Sequence, residues 1–359
     1  MNKLATIFVS LVLTLSLLPA VLSADVGSGI GITMETEKFA PLVWMCDSRI
    51  VLDDNVEPGQ ISDGGEELIE RIENYAFEGE QIQWRVLVMD KNGIEKIKDV
   101  YMTIGSSQGS GNEIEANCQL DEVCSGTVEE ACNARILEEH ITICNPEMMA
   151  YYTCTFTVET PVSMHGQYWV TVEAEDLDGL FGDMDENEFW FLNPEIALSI
   201  EGGIDFGTVR PGALSYSDTL LVGNAAEESS GVLLDMYVAG TDFYDPSSSG
   251  AKCPDTNQLA LTNFAYFATN GAYSTQDTGC DDAEGYVGIE YGNRIDQAYE
   301  IIGCEQFENV PVAAGLEEYT PGNVLSPGAE IAMTFRLDLP EPCNGDFSEG
   351  SIWFWGEAV

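Results

Sequence analysis

The densest group of oxygen-bearing side chains runs from Asp176 to Glu188: Asp176, Asp178, Asp183, Asp185, Asn187 and Glu188, broken by Gly179 and Gly182. Hard oxygen ligands at alternate positions on a glycine-bearing loop suit calcium. The run Asp183-x-Asp185-x-Asn187 begins as an EF-hand loop does, but Glu188 stands where that loop needs glycine and Pro194 where it needs its last glutamate. The expectation is one calcium ion on a loop near a domain junction, and the plain alternative is a solvated acidic turn. Asp90, Asn92 and Glu95 form a smaller group of the same kind, whose Asn92-Gly93 pair also reads as a hairpin turn.

Catalytic chemistry is harder to find. Gly105-Ser106-Ser107-Gln108-Gly109 has the G-x-S-x-G spacing of a nucleophile elbow, which requires a strand-to-helix turn. Here Ser110-Gly111-Asn112 and a polar strand follow, so the stretch reads as a hairpin loop. Bases for Ser107 are limited to His140 and His165. Paired carboxylates are too numerous to single out the two facing acids of a glycosidase. No catalytic residue and no cofactor other than calcium is therefore expected. Trp353, Phe354 and Trp355 stand in a row. On a strand Ile352 and Phe354 would fill the core, leaving Trp353 and Trp355 to stack on a sugar, cover a neighbouring subunit or pack against the other domain.

Ten cysteines are an even set: Cys46, Cys118, Cys124, Cys132, Cys144 and Cys154, then Cys253, Cys280, Cys304 and Cys343. No C-x-x-C pair occurs, so disulfides are preferred over zinc, and each half can close its own set. Spacing does not determine the connectivity; Cys253 with Cys280 and Cys304 with Cys343 is the assignment tried for the second half. Such loops would each stabilise the fold by about 3 to 4 kcal/mol.

The positioning elements are strands. Ile331, Met333, Phe335, Leu337 and Leu339 alternate with Thr334, Arg336 and Asp338; Ile82, Trp84, Val86 and Val88 alternate with Gln83 and Arg85; Tyr168, Val170, Val172 and Ala174 alternate with Trp169, Thr171 and Glu173. Period-two alternation predicts half-buried strands. Turn signals separate them at Glu57-Pro58-Gly59, Lys91-Asn92-Gly93, Arg210-Pro211-Gly212 and Ser326-Pro327-Gly328. The one persuasive helix follows Thr127, with Glu130 completing a capping box before Ala131 to Glu139; a helical turn around Glu66 to Ile72 is a further expectation. Lys3, the apolar run Leu4 to Leu18 and Pro19 predict a signal peptide over 1–24, and hence a secreted or cell-surface product with no integral membrane segment after cleavage.

These readings give an all-β chain of two antiparallel β-sandwich domains in tandem, 25–195 and 196–359. The first carries a short disulfide-tied helical insertion over 118–154. Acidic residues outnumber basic ones 62 to 13, for a net charge of −49. That field repels nucleic acid and anionic lipid and attracts divalent cations. It equally describes a salt-adapted surface. No Asn is followed two residues on by Ser or Thr, so N-linked glycans are not expected.

Phe206-Gly207-x-Val209-x-Pro211-Gly212, leading into a strand that ends at Asn224, resembles immunoglobulin-like sandwich modules of prokaryotic surface proteins. Gly79-Glu80, the strand Gln81 to Met89 and Asp90-Lys91-Asn92-Gly93 are similar to the opening of extracellular Ig-like repeats; the six-cysteine first half departs from their pattern. The resemblance implies adhesion, assembly or spacing rather than catalysis. Expected partners are copies of itself or other envelope proteins, with a glycan as the alternative. A secreted hydrolase is the third reading.

Overall fold

The computed structural model describes residues 33–53, 74–133, 141–184, 189–247, 252–254, 256–276, 278–307 and 320–359. The predicted signal peptide, the turn at Glu57-Pro58-Gly59, the turn of helix at Glu66 to Ile72 and most of the helix after Thr127 lie outside them. Two compact units are distinguished, Met1–Lys38 and Phe39–Val359. Every described strand belongs to the second unit, and the described chain is nearly all β. Among the described residues no helix is long and apolar enough to cross a membrane.

The first nine strands are β1 (Leu42–Asp53), β2 (Tyr75–Ala76), β3 (Glu80–Met89), β4 (Ile97–Gly105), β5 (Ile114–Val123), β6 (Met149–Thr157), β7 (Gly166–Asp176), β8 (Phe181–Asp183) and β9 (Phe189–Leu192). They form one sheet in the order β1-β3-β6-β5-β4-β7-β9-β2, with β8 on β7. β5 turns this sheet into two layers. Its start, Ile114 to Asn117, pairs with β4, and its remainder from Cys118 pairs with β6. Ile82, Trp84 and Val86 from one layer meet Met102, Val172 and Trp190 from the other in a single core.

The opposite face of β1, β3 and β6 is covered as well. Trp44, Leu87, Met89, Met149 and Tyr151 pack with Cys46, Cys124, Cys132 and Cys144. Cys124–Cys144 closes the connection between β5 and β6, and Cys46–Cys132 ties it to β1. Cys118 and Cys154 face each other across the β5–β6 ladder and form the third disulfide. They therefore lie inside the sheet, and the covering segment runs between β5 and β6. Helix α1 (Glu130–Asn133) is its described helical part.

The later strands are β10 (Leu198–Glu201), β11 (Leu214–Asn224), β12 (Leu234–Gly240), β13 (Phe243–Tyr244), β14 (Gln258–Leu259), β15 (Phe264–Asn270), β16 (Tyr273–Ser274), β17 (Val287–Gly288), β18 (Tyr299–Glu300), β19 (Val324–Leu325), β20 (Glu330–Asp338) and β21 (Ile352–Ala358). One sheet has the order β10-β11-β20-β15-β16, with β17 on β15; a second has β18-β12-β19, with β21 on β12. The two share a core in which Val222, Tyr266, Met333 and Phe335 meet Leu234, Met236 and Val238. Tyr75 and Phe191 join the same core, and the Tyr75 hydroxyl donates to the Val359 carbonyl at 2.6 Å.

Alternation on β20 is as predicted: Ile331, Met333, Phe335 and Leu337 are buried and Thr334 and Arg336 are not. On β7 it fails. Thr171 and Glu173, expected to face outward, are buried; the Glu173 carboxylate is enclosed by the Thr103 and Tyr101 hydroxyls of β4 and by the Gly111 N–H, which donates to it at 3.1 Å as the Gly105–Asn112 connection folds back. The second-half pairing tried from the sequence is wrong as well. The disulfides are Cys253–Cys343 and Cys280–Cys304. Lys252 and Asn344 exchange backbone hydrogen bonds in both directions, which brings their cysteine neighbours together whatever the distance along the chain.

Candidate functional site

Of the six residues expected to bind calcium, Asp185, Asn187 and Glu188 lie outside the described residues. The other three belong to a hairpin between β7 and β8. Asp176 is buried, and its carboxylate accepts the Leu180 N–H at 2.7 Å across the hairpin turn. Asp178 is exposed at the tip, and Asp183 is exposed opposite Glu173, three residues back along β7. The glycines of this stretch have backbone roles. Gly179 takes the turn at φ 79°, and a Cβ at Gly182 would collide with the Pro41 carbonyl.

The structure unites what the sequence kept apart. Leu177 N–H donates to the Lys96 carbonyl at 2.8 Å, placing the turn from Asp90 to Lys96 beside Asp176. Asp90 is fully buried; Oδ1 accepts the Asn92 N–H at 2.7 Å, whereas Oδ2 is buried with no hydrogen-bond partner. Burial, then the carboxylates of Asp176 and Glu95, push the Asp90 acid above its ordinary range against the Asn92 bond and the Lys96 charge. Asn92, expected as a ligand, instead accepts the Phe39 N–H through Oδ1 at 2.6 Å. Glu95 is exposed, and its carboxylate folds back to where a Cβ of Gly93 would stand. Among the described residues no three His, Cys, Asp or Glu side chains are already gathered as a metal-holding group.

A second pair of acids went unnoticed in the sequence because its members are far apart. Asp235 on β12 and Glu300 on β18 are both buried. Asp235 receives the Tyr237 hydroxyl at 2.5 Å and the Asn323 amide at 2.6 Å, and Glu300 receives the Thr320 hydroxyl at 2.7 Å. All three donors are neutral. Burial and the neighbouring Asp235 raise Glu300 to about 7, and burial also raises Asp235.

The two basic hubs were equally silent. Arg85 lies over the Tyr151 ring at 4.4 Å and binds Asp121, Glu122 and Glu129 within 2.9 Å. Arg336 lies over Tyr286 at 4.4 Å and binds Asp282 and Glu284. Although burial works the other way, the Arg336 guanidinium and the N–H groups of Tyr286 and Glu284 hold Asp282 below the usual carboxylate range.

The Gly105–Gly109 loop joins β4 to β5 as a hairpin connection, which no helix follows. Its Ser107 carbonyl accepts the Asn112 side-chain amide, while His165 is engaged with Glu227 at 2.9 Å; His140 lies outside the described residues. On β21, Ile352 and Phe354 pack on the core as expected. Trp355 packs against Tyr237, Ala239, Ala298 and Phe307 of its own half, and its ring lies 6.5 Å from that of Trp353.

No family model and no curated protein sequence matches the chain. Among solved structures, it is similar to the C-terminal domain of the AgI/II polypeptide BspA of Streptococcus agalactiae, at 10% identity and a TM-score of 0.27, over 89% of this chain and 97% of that one. A likeness of that degree carries no argument about fold or function.

Proposed function

We propose that this chain is a non-enzymatic structural protein of the cell surface or extracellular space, acting as a subunit of an envelope layer, an appendage or an adhesive structure. In this reading 25–195 and 196–359 are two Ig-like sandwich modules in tandem, the first bearing the disulfide-tied covering segment. The observation that supports it is the pairing of all ten cysteines, with no free thiol, in a chain built from strands. Five such bonds belong to an oxidising environment: one joins neighbouring strands, one ties the β5–β6 connection to β1, and three close loops. The partners are further copies of the chain or other envelope proteins. Negative-stain imaging of the purified mature protein is the test. Ordered filaments or lattices are expected, and a monomer at every concentration that instead binds glycans would replace the reading with a recognition module.

A further inference from the structure

Asp90 Oδ2 is the best-placed unused oxygen among the described residues. It is one of three buried side-chain atoms there that lack a hydrogen-bond partner, and the only carboxylate oxygen of the three. A buried anionic oxygen without a donor costs several kcal/mol on the order of magnitude seen for unpaired charge. Three segments fix it in place: the Asp90 N–H donates to the Met148 carbonyl, Ile94 N–H to Glu147, and Leu177 N–H to Lys96. Asp176, also buried, completes the negative wall, and its Oδ1 is already committed to Leu180. Among the described residues neither carboxylate has an ion pair with an Arg, Lys or His.

We propose that Asp90 and Asp176 bind a calcium ion, with Glu95 swinging from its place over Gly93 to become the third carboxylate and water filling the rest of the shell. The donors are all hard oxygens and carry up to three negative charges, which calcium prefers and softer metals do not. A site needing one side chain to move, with a largely aqueous shell, belongs to the weak extracellular class, with Kd of about 0.1 to 1 mM. The ion would knit the turn after β3, the segment before β6 and the β7–β8 hairpin. This inference does not rest on the surface-protein reading, since imaging tests one and unfolding the other.

The full mature chain, stripped with chelator, is melted in rising calcium chloride at fixed ionic strength, beside magnesium and sodium controls. Calcium is expected to raise Tm saturably by about 3 °C, with magnesium giving less. Asp90→Asn, whose side chain still accepts the Asn92 N–H, is expected to lose that rise. Glu95→Gln, at an exposed position that leaves the fold intact even if Asp90→Asn fails to fold, is expected to weaken the apparent affinity about tenfold. Glu201→Gln, an exposed acid on β10, should leave the response unchanged. No calcium-specific rise, or a rise undiminished in the Asp90 and Glu95 variants, overturns the site.

Discussion

The two halves of the chain solve the same problem with different materials. In the first, six strands of nine to twelve residues pair along most of their length, so the sheet ladder itself satisfies the buried backbone. In the second, six strands have only two residues, and ladders that short leave peptide groups without partners. Buried side chains take their place. Asn224 donates to the Val232 and Leu325 carbonyls and accepts the Ala226 N–H. Asn323 donates to Met236 and accepts Ile302 N–H, and Thr275 bridges Ala268 and Gly285. Such side chains act as short pieces of backbone, because an unsatisfied buried peptide group costs about 1 to 3 kcal/mol. In the first half, among the described residues, Asn193 between β9 and β10 is the one buried side chain that serves several distant backbone groups; Asp90, Asp176 and Glu173 each take a single backbone N–H.

If the second half depends more on such cross-links, removing them should hurt it more. The largest effect is expected from Cys253→Ser with Cys343→Ser, whose bond spans 90 residues, against its matched counterpart in the first half, Cys46→Ser with Cys132→Ser, which spans 86. The chain-entropy argument alone gives about 4 to 5 kcal/mol for either bond, so a greater loss in the second half, read from denaturant unfolding, is the mark of its dependence on cross-links. Equal losses would break the comparison. Next, Asn224→Leu strands three buried backbone groups and is expected to cost about 3 to 4 kcal/mol in the same assay; a loss below about 1 kcal/mol would show that other donors replace it.

The smallest effect is one of pH. Glu300 titrates near 7 when folded against an ordinary 4.5, so the folded state holds its proton more tightly than the unfolded chain does. The stability linked to Glu300 is therefore complete below about 4.5 and is lost as pH rises through about 7, some ~3 kcal/mol in all. Glu300→Gln should flatten that part of the stability profile between pH 5 and 8 and stabilise the chain at the alkaline end. An unchanged slope would mean that the general acidity of the surface, not this pair, sets the pH dependence.

Long strands were legible because burial of one face writes period two into the sequence, as in Ile331 to Leu339. β7 misled for a definable reason: Glu173 looks like a solvent-facing residue, and it is the neighbouring β4 side chains Tyr101 and Thr103 together with the return of the Gly105–Asn112 connection that enclose it. Two-residue strands carry no periodicity at all. Disulfide pairing failed where chain proximity was used in place of spatial proximity. Each acidic cluster was visible, but the meeting of Asp90 with Asp176, or of Asp235 with Glu300, depends on which strands lie side by side. Asn224 was noticed as the end of a strand; its service to two distant carbonyls needed the fold.

The strand shared by both layers of the first half has a mechanical consequence. A two-layer stack can slide apart, but β5 runs from one layer into the other, so a relative shift of the layers must drag its register on both sides. Cys118 sits at the crossover and is bolted to Cys154 directly opposite. The first half is thus built to resist shear, and reduction of that one bond releases the pin at the corner where the two layers meet.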